Sequence, residues 1–295
     1  MSLVPQPDPR RRERRVALLL FVATVVSTAG CHFVWWQAER TVAAAGRSVV
    51  FAVALMGILV AHEFGHLWMA RRHGLRVSAP VFLPMPVVVG TLGAIISIRE
   101  RPPTRRAQAQ MALAGPVAGL VTITGVLAVA MLGHVPDAEG GVALARPLVF
   151  WLMAFATTME APPEVYAADP LLFAAWVGCL VTALNLVPIG QLDGGHVLSA
   201  LAPDLHGRIG WVATIGLLLM GFVWWFWAVW AAVVRLLAAS APMPAASKAP
   251  PVHGRRLGVA ALVTAALCAV PVPVSLVDGP VALTVGERLA LGLWS

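Results

Sequence analysis

The chain has 295 residues, of which 59% are hydrophobic and only 12% charged. So little polarity cannot cover a water-soluble domain, which excludes a soluble globular protein and leaves a polytopic membrane protein. The formal net charge is +7, and every basic residue except Lys248 is arginine. These charges sit in short loops between apolar runs, so they read as membrane topology and not as a nucleic-acid surface.

Residues 1–15 form a basic N-terminus carrying Arg10, Arg11, Arg12, Arg14 and Arg15, expected on the cytoplasmic side. The apolar run 16–36 is too long for a signal-peptide core and lacks a convincing cleavage site, so it is read as an uncleaved first span. A polar link with Glu39, Arg40 and Arg47 completes a unit over 16–47. A second span, 48–70, ends in Arg71, Arg72 and His73. Residues 80–98 are apolar, but Pro80, Pro84, Pro86, Gly90 and Gly93 break any continuous helix. Val87–Val89 and Ile95–Ile98 have strand character around a Gly90–Gly93 turn, which predicts a re-entrant β-hairpin buried in protein or lining a wet cavity. Arg99, Glu100, Arg101, Arg105 and Arg106 follow.

The third span, 111–133, contains Gly115, Pro116, Ala118 and Gly119, small residues that allow close helix approach. An apolar piece at 147–158 is too short to span and is expected to be re-entrant or to lie at the outer surface. A fourth span, 171–187, meets Pro188. A fifth, 209–236, holds Trp224, Trp225, Trp227 and Trp230, which suggests an interfacial belt. A Pro/Ala/Ser linker at 240–252 precedes a last span, 257–277. Cys31, Cys179 and Cys268 lie in apolar runs without a CxxC pair and are read as small buried residues. The expected fold is an all-α membrane protein of about six transmembrane helices with a small re-entrant hairpin. Its chemistry is expected in a core over 48–202, followed by a C-terminal membrane region over 203–295.

The second span holds His62-Glu63-Phe64-Gly65-His66. On a helix this spacing sets two imidazoles one turn apart on one face, suited to zinc, with the intervening Glu placed as general base. Shuffled chains of this composition would contain the pattern with a probability of roughly 0.006. Ionisable groups inside a bilayer are costly and point to function. A third ligand is available where the fourth span ends, in Asn185-Leu186-Val187-Pro188-Ile189-Gly190-Gln191-Leu192-Asp193-Gly194-Gly195-His196. Pro188 and the glycines break the helix there and free backbone groups. Asp193 would complete a two-His, one-carboxylate set with an open position for water.

With both segments in place, the sequence resembles the site-2 protease family of intramembrane zinc metalloproteases. His62-Glu63-x-x-His66 matches its first motif, and Asn185-x-x-Pro188-x-x-x-Leu192-Asp193-Gly194 matches its second. Gly115-Pro116 and the Gly90-Thr91-x-Gly93-Ala94 stretch are similar to less specific family features, and no room exists for the inserted PDZ domain of some members. The resemblance covers about 50–200. It implies one zinc ion held by His62, His66 and Asp193, water activation by Glu63, and a helper role near the substrate for Asn185. It also implies transmembrane-helix proteins as substrates and the lipid bilayer as partner, with no nucleic acid.

The positive-inside pattern puts the N-terminus and the loops with Arg71 to Arg106 on the cytoplasmic side, and the chain is expected in a cell (inner) membrane. Spans two and four then both descend inward. At 1.5 Å per residue, His62 and Asp193 reach similar depths in the cytoplasmic half of the bilayer. Six crossings leave one misfit, since Arg235, Lys248, Arg255 and Arg256 come out on the wrong side. The plainer readings are a structural polar cluster for the His-Glu motif, a helix cap for Asp193 and an interhelical hydrogen bond for Asn185. His196 is read as a supporting or solvent-facing residue. An inactive relative that binds membrane helices, or a zinc transporter, are the competing functions.

Overall fold

The computed structural model describes residues 9–95, 100–133, 142–157, 165–240, 254–269 and 274–276. Most of these are helical, and three helices are long and apolar enough to cross a membrane. Helix α1 (Pro9–Cys31) runs into a π-helical turn, His32–Trp36. Helix α2 (Val42–Arg72) is capped by Thr41, whose hydroxyl accepts from the Ala44 N–H at 3.1 Å. Its 31 residues span about 47 Å, more than a ~30 Å hydrocarbon core, so the ends project. Helix α3 (Arg105–Gly133) contains Pro116.

The expected hairpin exists, but its strands are shifted. They are β1 (Val81–Pro84) and β2 (Thr91–Ile95), antiparallel with Val81 opposite Ile95 and Pro84 opposite Thr91. Val87, Val88 and Val89 lie in the turn, not in a strand, and Ile96–Ile98 fall outside the described residues. β-Branched residues suit a strand but do not dictate one. Here Gly90, at φ +84°, closes the loop, and its N–H donates to Val87 O at 3.1 Å. A β-carbon there would collide with the backbone of Ser27 and Thr28, so the turn rests directly on α1. The Trp36 indole N–H donates to Val88 O at 2.8 Å and clamps the same turn.

Strand β3 (Val142–Leu144) pairs with β4 (Val165–Tyr166) and with β5 (Val274–Leu276). The β3–β4 pairing returns the chain to its starting level after helix α4 (Leu148–Ala156), so the intervening segment makes no net crossing. Helix α5 (Pro170–Asn185) begins at Asp169, whose carboxylate accepts from the N–H groups of Leu171 and Leu172. The main core lies where α2, α3 and α5 meet, around Phe51, Leu55, Ile58, Ile123, Leu127, Phe173 and Val177. Cys31, Cys179 and Cys268 are all free and buried, as their apolar settings imply. Many large apolar side chains face outward instead, among them Leu19, Val26, Val121, Val129 and Phe155. Such a surface suits lipid and not water.

Helix α6 (Asp193–Leu201) and α7 (Pro203–Met220) follow. The expected single span 209–236 is instead two helices, α7 and α8 (Phe226–Ser240), joined by a turn at 221–225. The Arg235 guanidinium lies 4.0 Å over the Trp211 ring, so the pair is an antiparallel hairpin. Unbroken apolarity conceals the turn, because hydropathy does not distinguish one long helix from two short ones. Phe222, Val223 and Trp225 are exposed at its tip, while Trp227 packs inward with Leu184, Ile189 and Leu217. Helix α9 (Arg255–Cys268) closes the bundle, with Leu257 and Ala261 packed on a cluster that includes Leu113 and Val197.

Candidate metal centre

His62 and His66 fall on the inward face of α2 because four residues make just over one helical turn. Their ring centroids are 4.9 Å apart. Asp193 arrives from a separate part of the chain. The loop after Asn185 turns at Pro188 and at Gly190 (φ +52°), and Asp193 then opens α6. Its Oδ2 lies 3.2 Å from His62 Nε2 and 3.4 Å from His66 Nε2. One ligand atom from each of the three residues falls within a 4.8 Å cluster, in side chains only 4%, 14% and 16% exposed for His62, His66 and Asp193.

These separations test whether zinc fits. A tetrahedral ion with bonds of about 2.0–2.1 Å holds neighbouring ligand atoms about 3.3–3.4 Å apart. The two observed nitrogen–oxygen separations, 3.2 and 3.4 Å, lie close to that value. The tautomer also suits a ligand: His66 Nδ1 is 2.8 Å from Met111 O, so Nδ1 carries the proton and donates, leaving the Nε2 lone pair free. Two imidazoles and one carboxylate are the donors of an open, hydrolytic zinc site.

Glu63, next to His62 on α2, is partly buried and within electrostatic reach of both His66 and Asp193. Asn185 ends α5 immediately before the loop that leads to Asp193. His196 sits one turn after Asp193 and takes part through its backbone, whose carbonyl accepts from Gln108 Nε2 at 3.2 Å and from the Ser199 hydroxyl at 3.0 Å.

Helix α3 supplies what the motifs do not disclose. Gly115, read from sequence as a packing residue, has the more specific task of admitting an imidazole, since a β-carbon there would occupy the place of the His66 ring. Met111 O orients that ring, and Gln108 reaches α6. A glutamine and a carbonyl near the N-terminal end of an apolar helix carry no motif signal. Only the polarity of Gln108 beside a membrane span hints at its use.

The site belongs to a segment with clear relatives. The family model described as peptidase family M50 matches residues 50–223, which takes in both motifs. The chain is 31% identical over 156 residues to the probable zinc metalloprotease EGY1, chloroplastic, of Arabidopsis thaliana, covering 50% of this chain and 28% of that protein. It is 32% identical over 177 residues to the probable zinc metalloprotease EGY2, chloroplastic, of Oryza sativa subsp. indica, covering 57% and 32%. The DDT domain-containing protein PTM of Arabidopsis thaliana is 30% identical over 121 residues, 38% of this chain but only 7% of that protein. The matches to the two metalloproteases thus span about a third of those relatives' length or less.

Proposed function

Because the chain belongs to peptidase family M50, a family of zinc metalloproteases, we propose that it is an intramembrane endopeptidase. Its substrates are peptide bonds of transmembrane or membrane-anchored proteins. One observation carries the reading: donor atoms of His62, His66 and Asp193 converge within 4.8 Å inside an apolar bundle. Polar groups gathered at such a depth are expensive unless they act.

His62, His66 and Asp193 hold the metal. When bound, zinc supplies Lewis acidity toward a peptide carbonyl and renders water acidic enough to attack near neutral pH. The Glu63 carboxylate takes the proton of the attacking water and delivers it to the leaving amine. Asn185 donates a hydrogen bond on the substrate side, where charge develops on the carbonyl oxygen. The buried walls of α2, α3 and α5 keep bulk water from the reacting groups. A helical substrate must unwind before its peptide carbonyl is accessible, and an extended strand has an edge to pair with at the β1–β2 hairpin.

The α7–α8 hairpin also supports a topology that removes the misfit of Arg235, Arg255 and Arg256. If 203–240 enters and leaves on one face, then Arg208 and Arg235 share a side with Arg71, Arg72, Arg105, Arg106, Arg255 and Arg256. That arrangement satisfies the positive-inside pattern without exception for these residues. Helices α1, α2, α3, α5 and α9 cross, the N-terminus is cytoplasmic, and β5 reaches the outer face, where β3 and β4 lie. The metal ligands then occupy the cytoplasmic half of a cell membrane, and products leave toward the cytoplasm.

The test is Glu63→Gln in the purified full chain, with zinc content and cleavage of a reporter transmembrane helix measured on the same sample. The reading expects parental zinc and cleavage reduced by about 10²–10⁴. A zinc-loaded variant that cleaves at the parental rate would sink it.

A further inference from the structure

The metal ligands come from α2 and α6, which follow one another only at a long interval in the chain, and α6 is a helix of 9 residues. Something must fix α6 against α2 to within a few tenths of an ångström, since zinc tolerates deviations of about 0.2 Å in its bonds. The intervening element is α3, which packs on α6 through Leu113 and Val197 and makes its buried polar connection through Gln108. Gln108 is 9% exposed, and its Nε2 donates to the Ser199 hydroxyl at 2.7 Å and to the His196 carbonyl at 3.2 Å. The Ser199 hydroxyl, 5% exposed, donates onward to the same His196 carbonyl at 3.0 Å. Arg105 Nη1 adds a bond to Ser199 O at 3.4 Å. These contacts grip α6 one to two turns after Asp193.

On α3, Gln108 lies less than one turn before Met111, the residue whose carbonyl orients His66. A single turn of α3 therefore registers a ligand from α2 and the helix bearing a ligand from α6, while giving no ligand itself. In apolar surroundings such a bond has no competing water, so its loss leaves buried polar atoms unmatched.

We infer that Gln108, acting through Ser199 and His196 O, is the positioning residue for the third metal ligand, holding Asp193 at bonding distance from a metal on His62 and His66. The inference rests on the reading that these three residues hold zinc.

The experiment measures zinc affinity of the full-length chain in detergent, by competition with a chelator of known affinity, with helicity checked by circular dichroism. Gln108→Met keeps the length of the side chain and removes its donor. It is expected to weaken zinc binding about 10–100-fold. Ser199→Ala, a smaller change that preserves the helix, is expected to weaken it in the same direction by at least about threefold. Thr124→Val, which removes a hydroxyl bonded only to its own helix, leaves affinity at the parental value. A merely structural role would lower the melting temperature and not the affinity of the folded protein. If Gln108→Met fails to fold, Ser199→Ala decides, and parental affinity in that variant overturns the inference. Asp193→Ala separates the two levels. Parental affinity there removes the ligand assignment and the inference with it. Loss there, with parental affinity in the folded Gln108 and Ser199 variants, removes the inference alone.

Discussion

Gly115→Ala is the smallest substitution that should disable the metal site without touching a ligand. The added methyl group would stand where the His66 ring stands, in conflict with Nε2, Cδ2 and Cε1 together. Carbon atoms in contact need about 3.5 Å, so the ring must retreat by about 1 Å or more. It cannot do so freely, because Nδ1 is held by Met111 O at 2.8 Å and Nε2 must stay about 3.4 Å from Asp193. Zinc bonds tolerate about 0.2 Å, so one ligand is weakened or lost. The expected cost is at least about tenfold to a hundredfold in zinc affinity, or roughly 1.4–2.8 kcal/mol. The assay is chelator competition on purified protein, with reporter-helix cleavage measured in parallel. Gly125→Ala is the matched control on the same helix, since nothing lies within 4 Å of a β-carbon there. Both variants gain helix propensity, worth about 0.8–1 kcal/mol in an exposed helix interior, so only the steric term separates them. A Gly115→Ala protein that binds zinc as tightly as Gly125→Ala would refute the reasoning.

Asp193→Ala should leave the bundle folded yet strip the metal, so elemental analysis of the purified variant is expected to find little zinc; full occupancy would reject Asp193 as a ligand. Removing the N-cap of α5 by Asp169→Ala loses two bonds to backbone N–H groups and should cost about 1 kcal/mol in stability, read as a lower unfolding temperature with zinc affinity unchanged. Cysteines introduced at Arg208 and Arg235 should react with an impermeant reagent from the same side as one at Arg72. A cysteine at Glu39 should react from the other side. Labelling of positions 208 and 235 from opposite faces would contradict the hairpin topology.

The local chemistry was legible in the sequence because it depends on helical periodicity and residue type. His62, Glu63 and His66 are arranged by the pitch of one helix, and a helix there follows from an apolar run without proline. The Pro188–Gly195 break announced where a carboxylate could leave the helix to reach a metal. Apolarity announced the long helices suited to a membrane. Three things were not legible, for one common reason. The strands of the hairpin, the division of 209–236 into α7 and α8, and the duties of Gln108, Met111 and Gly115 are set by neighbours far away in the chain. Gly90 is glycine because α1 passes beneath it, and Gly115 because His66 needs its space. Periodicity reports how a segment relates to its own axis, and hydropathy reports only that it avoids water. Neither reports which helix lies opposite. The sequence by itself determined which residues are candidate ligands, and that the helix carrying His62 and His66 is apolar enough for a membrane. Only the tertiary structure decided how α3 brings them into register, because that register is a contact between helices and has no period along any one of them.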